Sequence, residues 1–461
     1  MPELSSFLPE LQRVVDAARE KFHIPGVAVG VLDRDDVIAV ASGVTNARTQ
    51  VPMTTDTVFL IGSITKVWTT TLVLGLVDEG LLDLDVPART YLPELKLADE
   101  DVAATVTLRH LVSHTSGITG DHFLDLGRGD DAVAKYVEAA AGFTQLYPLG
   151  QGFSYCNSGF VIAGRIVEVL LGKPFHQVLR ERVIEPLGLV QTVQHPEDAM
   201  LHRTSVGHLF TADGGVDIWP TWMYPRSMDP AGTSLASTVR ELLAFGKLHL
   251  DQGVAAASGK QLLSPGLVKQ MQQPHVEIPY VGYGSMGLGW MLLDGYGQPV
   301  YGHGGGSPGG LDWLYVLPER QLAMVFYANL DPSGAAPAFG KEVQRFVFEQ
   351  IAGASMPPAP VHVDPPTDLT PYAGTYTHAD MVHEVTVGDG QLLLTASGTS
   401  HIAPFEPYSY PPIPLRPLDA ETFCVDHEDA DGVGRFRFLD LDAQGRPALM
   451  HTGLRAFPRK V

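Results

Sequence analysis

Apolar positions near the start of the chain follow first a helical and then a strand period. Leucine, valine and alanine recur at helical spacing from Leu8 to Phe22, which predicts an amphipathic helix that ends before a Pro-Gly pair. The runs Val27–Leu32 and Val37–Ala41 are β-rich and flank a charged four-residue turn. We interpret these two runs as a β-hairpin.

The segment from Ser63 to Asp78 carries apolar or threonine side chains on nearly every face beyond its first turn. A helix without a polar stripe is normally buried, so we expect this segment at the centre of a domain. Between about residues 100 and 200 the pattern changes to shorter helical pieces joined by loops. These pieces are LRHLVSH at 108–114, DDAVAKYVEAAA at 130–141, SGFVIAGRIVEVLL at 158–171 and FHQVLRERVI at 175–184.

Beyond Tyr283 the apolar positions recur with a period of two, which is typical of strands. A closing helix is predicted over Lys341–Ile351. Together with the N-terminal hairpin, these elements can build an antiparallel sheet flanked by helices, with the middle segment as a helical subdomain. The predicted fold class is therefore α+β. The four late strands are predicted at Leu288–Leu293, Gln298–Tyr301, Leu311–Leu317 and Leu322–Asn329.

A proline-rich stretch, GASMPPAPVHVDPP, follows at residues 353–366. Its prolines exclude a helix and disfavour a central strand, so we interpret it as a linker. Short alternating runs separated by turn residues come after it, and they predict a small antiparallel β-barrel or sandwich. The predicted domains are thus an α+β domain at 1–352, the linker at 353–366 and a β-barrel at 367–461.

Composition narrows the classes of function. The chain has 461 residues, 45% of them hydrophobic and 18% charged, which is ample apolar mass for large cores. Its net charge of −21 argues against a nucleic-acid partner, because nucleic-acid binding usually needs a basic patch. No stretch approaches the ~20 apolar residues that a membrane helix needs. The two cysteines, Cys156 and Cys424, are expected in different domains and imply no disulfide framework.

The N-terminus lacks the basic start and apolar core of a signal peptide. We therefore expect a cytoplasmic protein that has no membrane partner. A secreted protein whose signal peptide had been removed would show the same pattern.

Ser63 and Lys66 are spaced to project from one face at the start of the buried helix. An ammonium group near an apolar interior is costly unless it is paired or neutral. A lysine with a lowered pKa can take the hydroxyl proton of Ser63, while the helix N-terminus stabilises the negative charge. In the alternative interpretation Ser63 caps the helix and Lys66 extends to solvent. None of the other nine lysines has a serine three residues before it.

Tyr155 and Asn157 form a second candidate, in the stretch Tyr-Cys-Asn-Ser-Gly. A phenol beside a lysine can act as a general base, and an amide can orient a substrate carbonyl or the lysine. Alternatively, both residues lie in a loop before a helix that Asn157 or Ser158 caps. Tyr327–Asn329 repeats the pattern, but it ends an apolar run, so core packing and strand termination explain it.

The third candidate is Gly302–Gly306, with the sequence GHGGG, between two strand-like runs. Glycines let a substrate backbone approach closely and expose N–H groups for an oxyanion hole. The alternative is a glycine-rich hairpin with an incidental His303. A similar His-Thr-Gly at His451–Gly453 lies across the predicted linker, and we set it aside for that reason.

Ser-x-x-Lys, Tyr-x-Asn and His-x-Gly, in this order and at these separations, resemble the motifs of the serine β-lactamase and penicillin-binding protein superfamily. The Tyr-x-Asn motif is similar to that of the class C β-lactamase branch, which also holds D-aminopeptidases, DD-peptidases and carboxylesterases. The resemblance implies a β-lactamase/DD-peptidase-like fold over about residues 10–350. The last domain resembles the lipocalin-like barrels that some of these relatives carry. Supporting stretches are LRHLVSHTSGI, VIEPLGL, PAGTSLASTVRELLAF and GHGGGSPGG.

The resemblance implies a role for each motif residue. Ser63 would form an acyl-enzyme and Lys66 would activate it. Tyr155 would move the proton to the leaving group and from the deacylating water. Asn157 would hold the acyl side chain, and the N–H groups of Ser63 and Gly306 would form the oxyanion hole.

The chain departs from the β-lactamase pattern at the third motif. β-Lactamases and DD-carboxypeptidases have Lys-Thr-Gly there, whose cation and hydroxyl bind the substrate carboxylate. In this chain the substrate-binding positions are His303 and Gly304, of which the first is mostly neutral at pH 7 and the second has no hydroxyl. Weak carboxylate capture is expected, and His-x-Gly resembles the D-aminopeptidase and esterase branches instead.

These motifs predict a serine hydrolase that acts on a small ester or a short peptide without a cofactor. A D-amino-acid-peptide hydrolase or a carboxylesterase fits them best. A β-lactamase or DD-peptidase, an acyl-transferring peptide cyclase and a penicillin-binding sensor without turnover stay open as alternatives, as does a homo-oligomer. His110 and His114 have the spacing of zinc ligands but lack the glutamate of His-Glu-x-x-His, so no metal is expected. Deleting residues 367–461 is expected to change substrate range or assembly more than the acylation of Ser63.

Overall fold

The computed structural model describes residues 3–211, 213–279, 282–330, 334–399, 407–425 and 434–460. Its α-helices are α1 (Leu8–Lys21), α2 (Thr65–Asp78), α3 (Glu100–Thr105), α4 (Leu108–Val112), α5 (Ala132–Ala139), α6 (Asn157–Leu171), α7 (Phe175–Leu179), α8 (Pro196–Ala199), α9 (Val239–Leu250), α10 (Pro265–Met271) and α11 (Ala335–Phe346).

Strands occur in two groups along the chain. Those before residue 330 are β1 (Gly26–Asp33), β2 (Asp36–Gly43), β3 (Phe59–Leu60), β4 (His208–Phe210), β5 (Val216–Ile218), β6 (Ala236–Ser237), β7 (Val276–Glu277), β8 (Ser285–Met286), β9 (Met291–Leu293), β10 (Val300–Ser307), β11 (Gly310–Leu317) and β12 (Leu322–Ala328). Those after residue 370 are β13 (Gly374–His378), β14 (Met381–Gly388), β15 (Gln391–Thr399), β16 (Pro407–Ser409), β17 (Ile413–Pro417), β18 (Thr422–Val425), β19 (Arg435–Leu441), β20 (Pro447–Thr452) and β21 (Arg455–Pro458).

The main sheet joins the first strands of the chain to strands nearly 300 residues later. Within the described residues its order is β2-β1-β12-β11-β10-β9-β8-β7, and each pair is antiparallel. β1 pairs with β12 from Val27 opposite Ala328 to Asp33 opposite Leu322. The predicted hairpin and the α+β class are confirmed.

Helices cover both faces of this sheet and enclose two apolar cores. On one face α9 and the helical subdomain pack around α2, where Trp68 stacks on Phe245 with 3.9 Å between ring centroids. On the other face α1 and α11 enclose Phe339 and Phe348. α2 is buried along almost its whole length, as its lack of a polar stripe predicts.

The glycine run is part of a strand, which corrects its expected place between strands. Val300–Ser307 forms one continuous strand, β10, in which Gly304 lies opposite Trp313 of β11. Glycine is unfavourable in strands, so the pattern of apolar positions did not predict that the strand continues past Tyr301. Pairing with β9 and β11 on its two sides holds β10 in place.

The strands after residue 370 form an antiparallel barrel in the order β13-β14-β15-β17-β18-β19-β20-β21, with β16 paired to β15. A bridge between Tyr376 and Arg459 brings the first strand next to the end of the last. Apolar side chains fill the interior in the described part of the barrel, among them Phe423, Phe438 and Phe457.

Residues 353–366 contain neither helix nor strand, as the prolines predict. The boundaries 1–352, 353–366 and 367–461 remain a prediction, and residues 1, 2 and 461 lie outside the described residues. Across the described ranges, no helix combines the length and the apolar character needed to cross a bilayer.

Candidate active site

Ser63 lies in a tight turn against the glycine strand. The 3-10 turn Gly62–Ile64 connects β3 to α2, and Gly62 adopts a φ of +46°. A Cβ on Gly62 would lie 2.6 Å from the carbonyl oxygen and 2.7 Å from the nitrogen of Gly306. Only glycine permits this backbone and this close approach, so the turn and β10 are in direct contact.

Lys66 lies on the first turn of α2 and is completely buried. Its Nζ is 2.9 Å from Oγ of Ser63 and donates to the carbonyl oxygen of Ala231 at 2.6 Å. Burial lowers the pKa of Lys66 well below its ordinary value, and the positive charge of Arg455 lowers it further. Ser63 does not cap α2, and Lys66 does not extend to solvent, so the alternative interpretation of this pair is wrong.

Tyr155 is buried beside this pair. Its ring stacks on His114 with 4.2 Å between centroids, and Nζ of Lys66 lies 4.9 Å from the ring centroid. The buried hydroxyl lies near Ser63 but makes no hydrogen bond of good geometry within the described part of the chain. Burial raises the pKa of Tyr155, and Ser63 and Arg455 only partly oppose this, so the phenol is protonated.

Asn157 is the first residue of α6, and the preceding residue, Cys156, caps this helix. Cys156 Sγ accepts a hydrogen bond from the N–H of Gly159 at 3.3 Å, which corrects the expected cap at Asn157 or Ser158. The Asn157 side chain is therefore free to bond elsewhere, and its Nδ2 donates to Oδ1 of Asp121 at 3.1 Å.

Asp121 is the centre of a buried polar network that crosses into the barrel. Arg455 donates to its two carboxylate oxygens at 2.7 and 2.9 Å, and Nε2 of His378 lies 3.3 Å away. Burial alone would raise the pKa of Asp121, but Arg455 and His378 outweigh it and hold this pKa well below the ordinary value. Asp121 is therefore an ionised carboxylate.

The face of β10 towards Ser63 is formed by glycines. A Cβ on Gly305 would lie 2.2 Å from the carbonyl oxygen of Ile61, whereas a Cβ on Gly306 would meet no heavy atom within 4 Å. The strand thus contacts the Ser63 turn at both Gly305 and Gly306, and the side-chain direction of Gly306 is open.

His303 and Gly304 occupy the preceding positions of β10. His303 is 1% exposed, and its Nδ1 donates to the Gly304 carbonyl oxygen at 2.7 Å. Burial lowers the pKa of His303 to about 3, and Lys66 contributes to the same shift. A Cβ on Gly304 would lie 2.6 Å from the ring of Trp313. The site therefore has no cation at 303 and no room for a threonine at 304.

The structure brings Ser63, Lys66, Tyr155 and Asn157 together beside β10. The two repeated patterns, at Tyr327–Asn329 and His451–Gly453, lie in different surroundings. Tyr327 stacks on Phe59 in the core, in agreement with its structural interpretation. His451–Gly453 lies beyond the predicted linker, and for that reason we did not expect it near the site. It belongs to a barrel hairpin that reaches this site, although the His451 ring itself lies against Phe153.

The sequence did not predict four residues that contact the site residues: Ala231, His114, Asp121 and Arg455. They come from three distant stretches of the chain, with His114 and Asp121 in the same one, and they form no motif of known spacing. His114 accepts a hydrogen bond from the N–H of Cys156 at 2.8 Å and supports Tyr155 instead of binding a metal. In the described part of the molecule, no three His, Cys, Asp or Glu side chains are arranged to hold a metal ion.

Comparison with known proteins finds relatives that cover most of the chain. A sequence profile of the beta-lactamase family matches residues 11–347. Penicillin-binding protein 4 of Amycolatopsis lactamdurans is 41% identical over 79% of this chain and 96% of its own length. The D-aminopeptidase of Gluconobacter oxydans is 26% identical over 72% of this chain and 61% of its own length. The crystal structure of SurE, which has also been solved with D-Leu, covers 99% of this chain and 100% of its own, at 25% identity and a TM-score of 0.79.

Proposed function

The chain belongs to the beta-lactamase family and is a hydrolase, and on this basis we propose that it cleaves an amide or ester bond through an acyl-enzyme on Ser63. The observation that carries this proposal is the 2.9 Å contact between a fully buried Lys66 amine and Oγ of Ser63. An amine kept neutral by its surroundings can accept the hydroxyl proton, which activates the oxygen as a nucleophile.

In the first half-reaction Oγ of Ser63 attacks the substrate carbonyl carbon while Nζ of Lys66 takes its proton. The carbonyl oxygen becomes an oxyanion, which the N–H groups of Ser63 and Gly306 stabilise. The carbonyl carbon then loses its bond to the leaving amine or alcohol. Tyr155 donates its phenolic proton to this leaving group and regains a proton from Lys66, so the charges balance.

In the second half-reaction a water attacks the acyl-enzyme. Its proton passes to the Tyr155 oxygen while the phenolic proton moves to Nζ of Lys66, and Lys66 returns a proton to Oγ of Ser63 as the bond between this oxygen and the acyl carbon breaks. Tyr155 suits this relay because it is a protonated phenol whose ring centroid lies 4.9 Å from Nζ of Lys66. An amine nucleophile in place of water would complete acyl transfer by the same steps.

A D-configured acyl donor is the substrate class that the comparisons support. One relative is a D-aminopeptidase, and the similar SurE fold has been solved with D-Leu. The neutral His303 and the missing hydroxyl at Gly304 argue against recognition of a free carboxylate. Arg455 does not replace that cation, because Asp121 already neutralises its charge.

The substrate panel that tests this proposal consists of D- and L-aminoacyl p-nitroanilides, p-nitrophenyl acetate and nitrocefin. We expect faster turnover of the D-aminoacyl amides than of their L-enantiomers, by about tenfold or more, which corresponds to roughly 1.4 kcal/mol of differential transition-state binding. The Ser63→Ala variant provides the background rate. Equal turnover by both proteins would refute the catalytic proposal, and equal rates for the enantiomers would refute the D-preference.

Penicillin binding is a second candidate, supported by the 41% identity to a penicillin-binding protein. In this case a fluorescent penicillin would label Ser63 and stay bound, because deacylation would be slow. Hydrolysis of nitrocefin with turnover would indicate a β-lactamase instead. The two outcomes are separated by whether intact-mass spectra show a persistent adduct after excess substrate is removed.

Carboxylate recognition should be independent of pH between 7 and 5. Burial and Lys66 lower the pKa of His303 to about 3, and a lowered histidine pKa favours the neutral form, so His303 gains no charge in this range. The measurement is competition of benzylpenicillin and its methyl ester against fluorophosphonate labelling of Ser63. The ratio of their affinities should not change on acidification, and His303→Gln should give the same ratio at both pH values. A free acid that gains on its ester as pH falls would contradict this.

A further inference from the structure

The barrel touches the catalytic machinery through one hairpin. The turn Gly453–Leu454 joins β20 to β21, and the Leu454 carbonyl oxygen accepts the N–H of Tyr155 at 2.8 Å. The N–H of Ala456 donates to Oγ of Ser154 at 3.1 Å. The segment that carries Tyr155 is therefore hydrogen-bonded to the barrel through the backbone of Tyr155 and the side chain of Ser154.

Arg455, the first residue after this turn, extends from the hairpin into the site. Its Nε and Nη2 bind the two oxygens of Asp121, and its Nη1 donates to the Gly453 carbonyl oxygen at 2.8 Å. A bidentate pair fixes both position and orientation of the guanidinium. Since Asp121 also accepts from Asn157, the barrel holds the Asn157 amide through one intervening carboxylate.

Arg455 also places a charge beside the proton relay. Its guanidinium carbon lies 4.9 Å from the centroid of the Tyr155 ring, as does Nζ of Lys66. This positive charge lowers the pKa of both Lys66 and Tyr155, whereas the Asp121 carboxylate raises both. The two groups of the ion pair thus act on Lys66 with opposite signs.

The remainder of the barrel has a packed interior. The ring of Phe438 contacts those of Tyr372, Tyr376 and Phe423 edge-on, and Tyr372 also contacts Phe423, with 5.0 to 5.7 Å between centroids. In the described part of the barrel, these rings occupy the interior, the region where open barrels of this size can hold a ligand. The barrel contacts the candidate active site through the hairpin that carries Leu454 and Arg455.

We propose that Arg455 is a positioning residue through which the C-terminal barrel completes the active site of its own chain, holding Asn157 by way of Asp121 and Tyr155 through direct contact. This inference rests on the proposed acyl-enzyme function. It also revises the expectation that the barrel matters less for acylation than for substrate range, because the hairpin bonds directly to the backbone of Tyr155.

The test uses the full-length chain, with p-nitrophenyl acetate as the probe and kcat/KM measured from pH 5 to 9. Arg455→Gln removes a charge that lowers the pKa of Lys66 and leaves the Asp121 charge that raises it. The pKa of Lys66 then rises, more of the amine is protonated at a given pH, and the acidic limb should move up by about one pH unit. At pH values on that limb this corresponds to a loss of about tenfold.

Asp121→Asn should move the same limb in the opposite direction. It removes the charge that raises the pKa of Lys66 and leaves Arg455 unopposed, so the limb should move to lower pH. Both variants should reduce kcat, because both break the bidentate pair. Arg455→Lys keeps the charge without the bidentate geometry, so it should restore the limb but not the full kcat.

The matched control is Arg437→Gln, which removes another ion pair across the two parts of the chain. Arg437 binds Glu277 at 3.1 Å and lies outside the network of Asp121. This variant should leave kcat and the pH profile as in wild type, and thermal unfolding identifies any variant that has lost its fold. A profile of Arg455→Gln that superimposes on wild type, or limb shifts of equal sign in Arg455→Gln and Asp121→Asn, would overturn the inference. Activity that survives Ser63→Ala would instead overturn the proposed function on which it rests.

Discussion

Replacing Ser63 with alanine is expected to reduce ester hydrolysis on the order of 10⁴-fold or more, since it removes the atom that forms the acyl-enzyme in the proposed mechanism. Lys66→Met should reduce it on the order of 10³-fold, because no neutral amine then stands 2.9 Å from Oγ. Initial rates on p-nitrophenyl acetate and fluorophosphonate labelling followed by mass spectrometry measure both losses.

The double variant Ser63→Ala/Lys66→Met tests whether the two residues act as a unit. If Lys66 acts only by activating Ser63, then the double variant should be no slower than Ser63→Ala alone, since residues that act as a unit are not additive. Lys66→Met should also be at least as stable as wild type, because methionine fills the space of a buried lysine without the cost of a desolvated amine. Ser6→Ala, at an exposed serine whose hydroxyl donates to the Glu3 carbonyl oxygen, is the control variant. Full activity in Lys66→Met would show that another base activates Ser63.

Gly305→Ala should damage both stability and activity, whereas Gly306→Ala should leave stability unchanged. A Cβ at 305 would lie 2.2 Å from the Ile61 carbonyl oxygen and 2.5 Å from an oxygen of Asp312, and the first of these is a backbone atom that can move only if the Ser63 turn moves with it. Overpacking of this kind costs about 1–3 kcal/mol or more. Because the clash lies between β10 and the Ser63 turn, the resulting displacement should also reduce kcat/KM on the order of 10²-fold.

Gly306 provides the matched control for Gly305→Ala. A Cβ at 306 would meet no heavy atom within 4 Å, so Gly306→Ala tests the same substitution, in the same strand, without the clash. Thermal unfolding monitored by circular dichroism should show a lower Tm for Gly305→Ala and a Tm close to wild type for Gly306→Ala. Equal Tm values would mean that β10 does not press against the turn as described.

The parts of the site that the sequence predicted are those whose chemistry and spacing are local. Ser63 and Lys66 are one helical turn apart on a helix that lacks a polar face, so both the helix and the unusual lysine can be inferred without a partner. The long apolar runs of β1, β11 and β12 made the sheet predictable for the same reason.

The parts that escaped prediction depend on contacts between distant segments. Nothing near Asp121 in sequence indicates that it binds a guanidinium 334 positions later. Ala231 contributes a backbone oxygen, which any residue could supply, so its identity carries no signal. β10 was hidden because glycine has no side chain to show a period, although that absence of side chains is what lets the strand approach Ser63.

The order of strands in the main sheet also has a consequence for synthesis of the chain. β1 is complete at Asp33, yet its partner β12 ends at Ala328, so the sheet cannot close until about 300 further residues have left the ribosome. At about 5–20 residues per second this interval is roughly 15 to 60 s. For that time the nascent chain carries a valine-rich hairpin with an unpaired edge, a template for association between chains. The yield of folded protein should therefore depend on translation rate and on chaperones that cover this hairpin.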